Sequence, residues 1–315
     1  MASAAGSATT AARRRFTGLL PDGLRSYRPL RWYWEVALLA LCLWVYNLIR
    51  NAAPEKVGVA MGHAEDVQRL QDRLHISFEL SFNRFVADHA LVAQVMNYYY
   101  ATLHFVVTIA VLVWVFRVHP RRYSGIRTAL FVTSMVALLG FWLYPLAPPR
   151  LAEMGYVDTL REFNTWGSFA RPEVADNSNQ YAAMPSLHTA WALWSGLCLV
   201  VLARRAWVRI LGVLYAVVTV VVIVGTANHF ILDAVAGAAV LGCGFAVPYL
   251  LFGRSAFREA PPRPDEEAAV LDIPGFERGE PAQHESVQHE SAQHESAQHG
   301  EQAREQGSWS LETSR

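Results

Sequence analysis

The sequence predicts an all-α membrane protein, a polytopic bundle of about six transmembrane helices. Composition is the first observation behind this fold class: hydrophobic residues make up 53% of the 315-residue chain and charged residues only 17%, below the roughly 25% of soluble domains. The second is that the apolar residues gather in runs near the roughly 20 residues that a helix needs to cross a bilayer. Helices are favoured because an isolated strand leaves its backbone polar groups unsatisfied in lipid.

The apolar runs divide the chain into three parts. We predict spans at residues 32–50, 92–116, 126–145, 185–203, 207–226 and 230–252. They form one membrane domain over residues 32–253, preceded by an arginine-rich segment, 1–31. From 254 to 315 the chain is rich in Pro, Glu, Gln and Ser and repeats QHES, so it cannot bury enough apolar surface to fold alone. We expect this part to be a disordered cytoplasmic tail.

Arginine residues predict the orientation of the bundle. They cluster before the first span, between the second and third spans, and between the fourth and fifth spans. The positive-inside rule makes these three segments cytoplasmic. Both termini are then expected inside the cell, with loops 51–91, 146–184 and 227–229 on the outer face of the cell membrane.

The outer segment 51–91 contains an apolar stripe at helical spacing, formed by Val67, Leu70, Leu74 and Phe78. Such a stripe is typical of a helix that lies along the membrane interface. Packing of the same stripe onto the bundle is the alternative. Either arrangement predicts a helix in this segment.

Charge and cysteine content argue against several kinds of partner. Lysine and arginine number 27, as do aspartate and glutamate, so the formal net charge is zero and gives no basic surplus for nucleic acid. The sequence also lacks a glycine-rich phosphate loop. Cys42, Cys198 and Cys243 lie in apolar runs without metal-ligand spacing, as small buried hydrophobic residues do. We therefore expect no nucleic-acid partner, and the oligomeric state is not indicated.

Two histidines and an aspartate interrupt the apolar runs at predicted outer helix ends. His229 and Asp233 are four residues apart, so on a helix they share one face, where the carboxylate can accept a hydrogen bond from one imidazole nitrogen. This arrangement fixes the tautomer and leaves the other nitrogen as a nucleophile or base. His188 begins another helix, in which Pro185 suits the first turn and Ser186 can cap or donate a hydrogen bond.

Arg150, in the stretch PLAPPRL, belongs to the same outer face. Two helix N-termini would direct free N–H groups at this pocket, and the guanidinium could add a bidentate grip on an anion. The expected ligand is a phosphate ester. A histidine or arginine at a span end can also be an ordinary interfacial residue, but Asp233 lies within a span, where burial is costly unless the carboxylate is paired.

These motifs resemble those of the type 2 phosphatidic acid phosphatase superfamily, which contains membrane lipid phosphatases and phosphotransferases. The resemblance covers about residues 64–250 and includes the six-span layout. The Pro-Ser-Leu-His at 185–188 is similar to the family motif Pro-Ser-Gly-His, and His229 with Asp233 is similar to the closing His-x-x-x-Asp of another motif. Arg150 is the nearest counterpart of the arginine in the first family motif.

The resemblance implies a role for each of these residues. His229 would attack phosphorus to give a phosphohistidine, and His188 would protonate the leaving alkoxide. Asp233 would orient the nucleophile, while Arg150 and Ser186 would bind the phosphate of the substrate. The chain would then be an enzyme that acts on a membrane lipid, needs no metal or other cofactor, and uses water or an alcohol headgroup as the acceptor.

The chain departs from the family pattern at several positions. Leu143 replaces an expected lysine, Leu151 a proline and Leu187 a glycine, and a Ser-Arg pair is replaced by Val222 and Ile223. Two cationic phosphate ligands are therefore missing from the pattern.

These departures, together with the run YYYATLHF at 98–105, resemble the branch that includes inositol phosphorylceramide synthase, whose members transfer a phospho-headgroup between lipids. A phosphodiester carries one charge fewer at the reacting phosphate than a monoester, which is consistent with a less cationic pocket. Arg84 or Arg171 could also replace the missing charges.

Three further residues are second candidates for the site. Tyr98, Tyr99 and Tyr100 near the outer end of the second span are typical of an interfacial aromatic belt, and a place for Tyr100 in the site is the alternative. His104 lies deeper in the span and faces either a partner helix or the pocket. Asn228 lies beside the predicted nucleophile.

Two other functional classes are compatible with the sequence. His188, His229 and Asp233 could be the three protein ligands of a catalytic zinc ion, although no further histidine or cysteine pair accompanies them. A lipid-binding bundle without catalytic activity would also keep the spans. Among enzymes, the sequence leaves open whether the acceptor is water, as in a phosphatase, or an alcohol, as in a transferase.

Overall fold

The computed structural model describes residues 32–52, 57–165 and 180–262. Segment 1–31, Arg171 and the QHES repeats lie outside the described residues. A π-helical turn, Tyr99–Leu103, joins the helices Ala90–Tyr98 and His104–Val118. Within the described ranges there is no strand, only an isolated backbone bridge between Leu146 and Ala182. The helices in chain order are α1 Trp32–Ala52, α2 Val57–Arg73, α3 Glu79–Ala87, α4 Ala90–Tyr98, α5 His104–Val118, α6 Pro120–Leu143, α7 Thr159–Glu162, α8 Leu187–Leu202, α9 Ala206–Gly225 and α10 Ile231–Phe252.

The six predicted spans correspond to α1, α4 with α5, α6, α8, α9 and α10. Two shorter apolar helical stretches occur in α1 and α8, at Trp32–Cys42 and Leu187–Leu202. The prediction of an all-α membrane bundle is confirmed. Four helical stretches are long and apolar enough to cross a membrane, namely Ala90–Val118, Pro120–Leu143, Ala206–Gly225 and Ile231–Phe252.

Helix α8 is the centre of the bundle, although it has only 16 residues. It packs against α5, α6, α9 and α10, and it is largely buried and apolar on most sides, as expected for a helix enclosed by protein. The indole N–H groups of Trp191 and Trp194 donate to Ser134 Oγ and to the Ile126 carbonyl, each at 3.1 Å. These bonds fix the rotation of α8 and with it the direction of His188 at its start.

Glycines allow the closest helix contacts around α8. Gly196 of α8 faces Gly212 of α9, and a Cβ added at Gly196 would lie 2.5 Å from the Gly212 carbonyl oxygen. Gly237 of α10 faces the residue before α8, and a Cβ there would overlap the carbonyl oxygen of Ser186. Helix α10 can therefore approach the segment that carries His188 only because residue 237 has no side chain.

Gly237→Ala is expected to destabilise the protein, because the new methyl group would push α10 away from Ser186. Overpacking of this kind costs about 1–3 kcal/mol. Gly242→Ala on the same helix is the matched control, since a Cβ at Gly242 meets nothing within 4 Å. Thermal unfolding in detergent should show a lower midpoint for Gly237→Ala alone. Equal midpoints for the two variants would contradict the close contact.

Helices α2 and α3 bury polar side chains and expose apolar ones. Within the predicted apolar stripe, Val67 is buried, whereas its three other members are between 46% and 57% exposed. Gln71 and Glu79 are buried instead. Packing onto the bundle therefore applies to Val67. Leu70 faces away from the protein on α2, as an interfacial helix requires, whereas Leu74 and Phe78 lie in the connection between α2 and α3, so the stripe is not one continuous helix.

A buried ion pair ties α1 to α6 near the start of α6. Glu35 pairs with the guanidinium of Arg127, and the Tyr123 hydroxyl donates to Glu35 Oε2 at 3.0 Å. Residues 254–262, the start of the predicted tail, contact the same end of α6. The N–H of Ala260 donates to the Arg121 carbonyl at 2.9 Å, and the Arg121 guanidinium donates to the Ala260 carbonyl.

Candidate active site

His229 and Asp233 meet at the start of α10. The helix begins at Ile231 with Phe230 as its N-cap, so His229 lies in the preceding turn and Asp233 in the first turn. His229 Nδ1 lies 3.3 Å from Asp233 Oδ2 and 3.0 Å from the Ala183 carbonyl oxygen. Because a carbonyl only accepts, Nδ1 carries the proton and the lone pair resides on Nε2. The two residues are thus in contact, from turn to helix rather than along one helix face.

Asp233 also fixes the backbone around it. Its side chain is fully buried, and Oδ2 accepts the Phe230 N–H at 2.9 Å. Its main-chain carbonyl accepts the Ser186 N–H at 3.0 Å. The segments that carry the two predicted histidines are therefore joined by two hydrogen bonds, one between His229 and Ala183 and one between Ser186 and Asp233.

His188, the second residue of α8, faces three other aromatic rings. Its ring centroid lies 5.5 Å from that of His229, 4.3 Å from that of Tyr100 and 4.2 Å from that of His104. The rings of His188 and Tyr100 are stacked, with 22° between their planes. The structure thus brings the two predicted catalytic histidines together and adds two of the second candidates from the second span.

Ser186 is the N-cap of α8, as the sequence predicts. It is fully buried, and its hydroxyl oxygen accepts the Thr189 N–H at 3.3 Å. The Thr189 hydroxyl lies at the same distance. Pro185 stands just before this cap instead of inside the first turn. The capping role thus explains why a serine stands here, and the binding of substrate phosphate by Ser186 stays a prediction.

Arg150 is held against the turn that carries His229 by protein groups. Its Nε donates to Asn228 Oδ1 and its Nη1 to Asp158 Oδ2, each at 3.0 Å, and its side chain is 5% exposed. The Arg150 N–H donates to the Ala227 carbonyl at 2.9 Å. Asn228, predicted as a second candidate, therefore acts as the link between the arginine and the turn that carries His229.

The π-helical turn directs two side chains of the second span at His188. Tyr100 lies in this turn and His104 follows it directly, and π-turns of this kind occur frequently at functional sites. Tyr99 is also turned inward, since its hydroxyl lies 2.8 Å from Thr219 Oγ1, whereas Tyr98 is 41% exposed. The interpretation of all three tyrosines as an interfacial belt therefore fits Tyr98 alone.

Apolar residues stand where the family carries a lysine and a Ser-Arg pair, and their surroundings differ. Leu143 is 81% exposed, whereas Val222 and Ile223 are buried in hydrophobic clusters that include Tyr100. Of the two possible substitutes for the missing charges, Arg84 is exposed, with its guanidinium beside Gly155 in the loop after Arg150. The other, Arg171, lies outside the described residues.

Two buried side chains that the sequence did not single out cap α10. Glu79 Oε1 accepts the Ile231 N–H at 2.6 Å, and Gln71 Oε1 accepts the Leu232 N–H at 3.2 Å. Asp233 accepts the N–H of the N-cap residue, as described above. The expectation that N–H groups at this helix start are free for a phosphate is therefore wrong for these three, because the protein itself satisfies them.

The Glu79 carboxyl lies in an environment that opposes ionisation. Burial raises its pKa to about 7, and the negative charge of Asp233 adds to the rise. Hydrogen bonds from the Ile231 N–H, the Gln71 amide and the Tyr156 hydroxyl act in the opposite direction. The sequence carries no signal for this cluster, since Gln71 and Glu79 belong to different helices and resemble ordinary solvated residues.

Metal binding has no obvious ligand set in this region. In the part of the chain that the structure describes, no group of three or more His, Cys, Asp or Glu side chains is arranged to hold a metal ion. His229 and His188 make different contacts. His229 bonds to a carbonyl and a carboxylate through Nδ1, and His188 stacks on Tyr100.

Comparison with known protein families gives one match. The PAP2 superfamily matches residues 65–247, which is more than half of the chain and contains every site residue named above. Comparisons with curated proteins and with solved structures gave no match. The match covers the loops and helix starts where His188, His229 and Asp233 meet, and it supports a phosphatase-type activity on lipid phosphates. The chain belongs to the PAP2 superfamily.

Proposed function

We propose that the protein is an integral-membrane enzyme that cleaves or transfers lipid phosphate esters through a phosphohistidine intermediate on His229. The observation that carries this proposal is the tautomer of His229. Its Nδ1–H is directed at the Ala183 carbonyl and at Asp233, so Nε2 holds the lone pair that would attack phosphorus. The family match supports the coarser statement, a phosphatase-type activity on lipid phosphates.

In the first step, Nε2 of His229 forms a bond to phosphorus while the bond from phosphorus to the lipid oxygen breaks. Protonated His188 gives its proton to the departing oxygen, so the lipid leaves as a neutral alcohol. The Asp233 carboxylate stabilises the positive charge that the imidazole of His229 gains. Arg150 and Ser186 bind the non-bridging oxygens, for which a guanidinium is suited.

In the second step, an acceptor hydroxyl attacks phosphorus, the N–P bond breaks, and its electron pair returns to Nε2. Neutral His188 takes the proton from the attacking hydroxyl and is ready for the next cycle. Water as the acceptor releases inorganic phosphate from a lipid such as phosphatidic acid or a polyprenyl phosphate. When the donor is a phosphodiester, the headgroup stays on phosphorus, and the alcohol of a second lipid as the acceptor gives a new phospholipid.

Headgroup transfer is the second candidate function, and a specific observation favours it. Leu143, Val222 and Ile223 stand where the family carries two cations and a serine, so the pocket suits a phosphodiester with one charge fewer than a monoester. The resemblance to inositol phosphorylceramide synthases makes an inositol phosphate group the first to test. The arginine distribution supports a site on the outer face of the cell membrane, with both termini in the cytoplasm.

The test uses the full-length protein in detergent or liposomes with a metal chelator present. We expect wild type to release inorganic phosphate from labelled phosphatidic acid, or to move the labelled headgroup of phosphatidylinositol to an added alcohol, and His229→Ala to do neither. A labelled protein intermediate stable to alkali should form only on wild type. His89→Ala is the matched control, because this histidine is exposed and its ring bonds to the Phe85 carbonyl on α3. Equal turnover by wild type and His229→Ala would mean that the site lies elsewhere, and no turnover by either would leave a non-catalytic lipid-binding bundle.

A further inference from the structure

Helices α2 and α3 contain no predicted catalytic residue, yet their buried polar side chains contact the start of α10. Glu79 is 1% exposed and Gln71 is fully buried. They accept the N–H groups of Ile231 and Leu232, the two residues between the N-cap of α10 and Asp233. A helix start normally receives its cap from its own chain segment. Here the cap comes from residues about 150 positions earlier in the sequence.

The hydrogen bonds of this cap assign a definite role to each oxygen and nitrogen. Glu79 uses Oε1 for Ile231, and its Oε2 accepts from Gln71 Nε2 at 3.0 Å. Gln71 then has its Oε1 directed at Leu232. Turning the Gln71 amide over would remove the acceptor from Leu232. A glutamine at position 79 would direct its own NH2 group at one of two N–H donors, that of Ile231 or that of Gln71. The pattern therefore requires an acceptor at both ends of the group at position 79.

The cap acts on the part of the chain where the chemistry is proposed. Asp233 is the third residue of α10, and its Oδ2 must reach both the Phe230 N–H and His229 Nδ1. A shift of the first turn of α10 changes both distances together. A further buried side chain of α3 contacts the segment before His229, since Asn83 donates to the Gly225 carbonyl.

We infer that Glu79, together with Gln71, is a positioning residue that holds the His229 and Asp233 pair in the geometry for attack on phosphorus. This inference rests on the proposed function. It assigns a task in the reaction to helices α2 and α3, which lie outside the membrane-spanning helices and carry none of the family's motifs. Neither side chain touches the substrate; both act through the first turn of α10.

A reciprocal exchange of the two side chains tests the inference. Glu79→Gln places two N–H donors opposite one another, and Gln71→Glu places two acceptor oxygens opposite one another. Either change should loosen the start of α10. The double variant Glu79→Gln/Gln71→Glu restores the bonds to Ile231 and Leu232 and the bond between the two side chains, whose donor and acceptor are exchanged. With labelled phosphatidic acid as the probe, we expect each single variant to lose about 10²-fold in kcat, the loss that a misplacement of about 1 Å can cause, with KM nearly unchanged. The double variant should return to near the wild-type kcat.

Glu35→Gln is the matched control, because it also removes one buried carboxylate. Glu35 pairs with Arg127, which lies about 20 Å along α6 from Gly140, the residue of α6 that contacts Pro185. This variant should lower the unfolding midpoint without lowering kcat. A loss of kcat as large as that of Glu79→Gln would show a general effect of losing a buried charge and would overturn the inference.

Amide hydrogen exchange separates a failure of this inference from a failure of the proposed function. Exchange at Ile231 and Leu232 should be faster in both single variants and slow again in the double variant, whether or not wild type hydrolyses phosphatidic acid. Unchanged exchange or unchanged kcat in the single variants would overturn the inference. A double variant that is less stable than either single variant, or that folds and stays inactive, would overturn it as well. Loss of activity in His229→Ala, measured alongside, reports on the function alone.

Discussion

His188→Ala is expected to lower kcat for a lipid phosphate ester by about 10²- to 10⁴-fold, the usual contribution of a general acid or base. The lipid alkoxide is a poor leaving group and needs a proton, which we propose comes from His188, whose ring lies 5.5 Å from that of His229. An aryl phosphate with a stable phenolate leaving group needs little protonation, so its first step should be much less affected. The single-turnover rate of formation of the labelled intermediate measures this step for both substrates.

The comparison of two leaving groups separates acid catalysis from loss of fold. His188 also stacks on Tyr100, so His188→Phe, which keeps an aromatic ring, serves as the control for packing. It should show the same leaving-group dependence as His188→Ala. An equal loss for both substrates would contradict the role of His188 as proton donor.

Asp233→Asn is expected to have the second-largest effect, about 10²- to 10³-fold in kcat, below the roughly 10⁴-fold loss from the corresponding change in a serine protease triad. The loss should be smaller here because the Ala183 carbonyl, 3.0 Å from His229 Nδ1, still fixes the tautomer. The amide oxygen can replace Oδ2 in its bond to the Phe230 N–H. The amide nitrogen can occupy the place of Oδ1, which has no hydrogen-bond partner among the described residues. Geometry is thus retained and charge is removed.

The stability of Asp233→Asn should be equal to that of wild type or higher, since a neutral amide avoids the desolvation cost of a buried carboxylate. Thermal unfolding and kcat measured on the same preparation check both expectations. Asp233→Ala, which also removes the bond to Phe230, should lose stability as well as kcat. A kcat within a few-fold of wild type for Asp233→Asn would contradict the role of the charge.

The apolar helices and the contact between His229 and Asp233 could be predicted from the sequence because both depend on local patterns. Length and hydropathy mark helices such as α9 and α10 without knowledge of their neighbours. The spacing of His229 and Asp233 was likewise enough to predict their contact. The bonds that join this pair to α8, through Ala183 and Ser186, depend on the approach of α10 to α8 at Gly237, which no local pattern describes.

The support of the site could not be predicted for the same physical reason. Gln71 and Glu79 stand beside an apolar stripe, and hydropathy assigns polar residues to the solvated face. The structure reverses this because the N–H groups of Ile231 and Leu232 need acceptors inside the protein. A residue that satisfies a distant backbone group has the same sequence appearance as one that faces water.

The π-helical turn between α4 and α5 sets an angle between the two halves of one span. Each residue of an α-helix adds about 100° of rotation, so removal of a single residue such as Ala101 would rotate α4 by that amount relative to α5. Asn97 on α4 would then leave Thr159, while His104 on α5 kept its place beside His188. The number of residues in this turn, more than their identity, therefore lets one continuous span contact Thr159 of α7 with one half and His188 with the other.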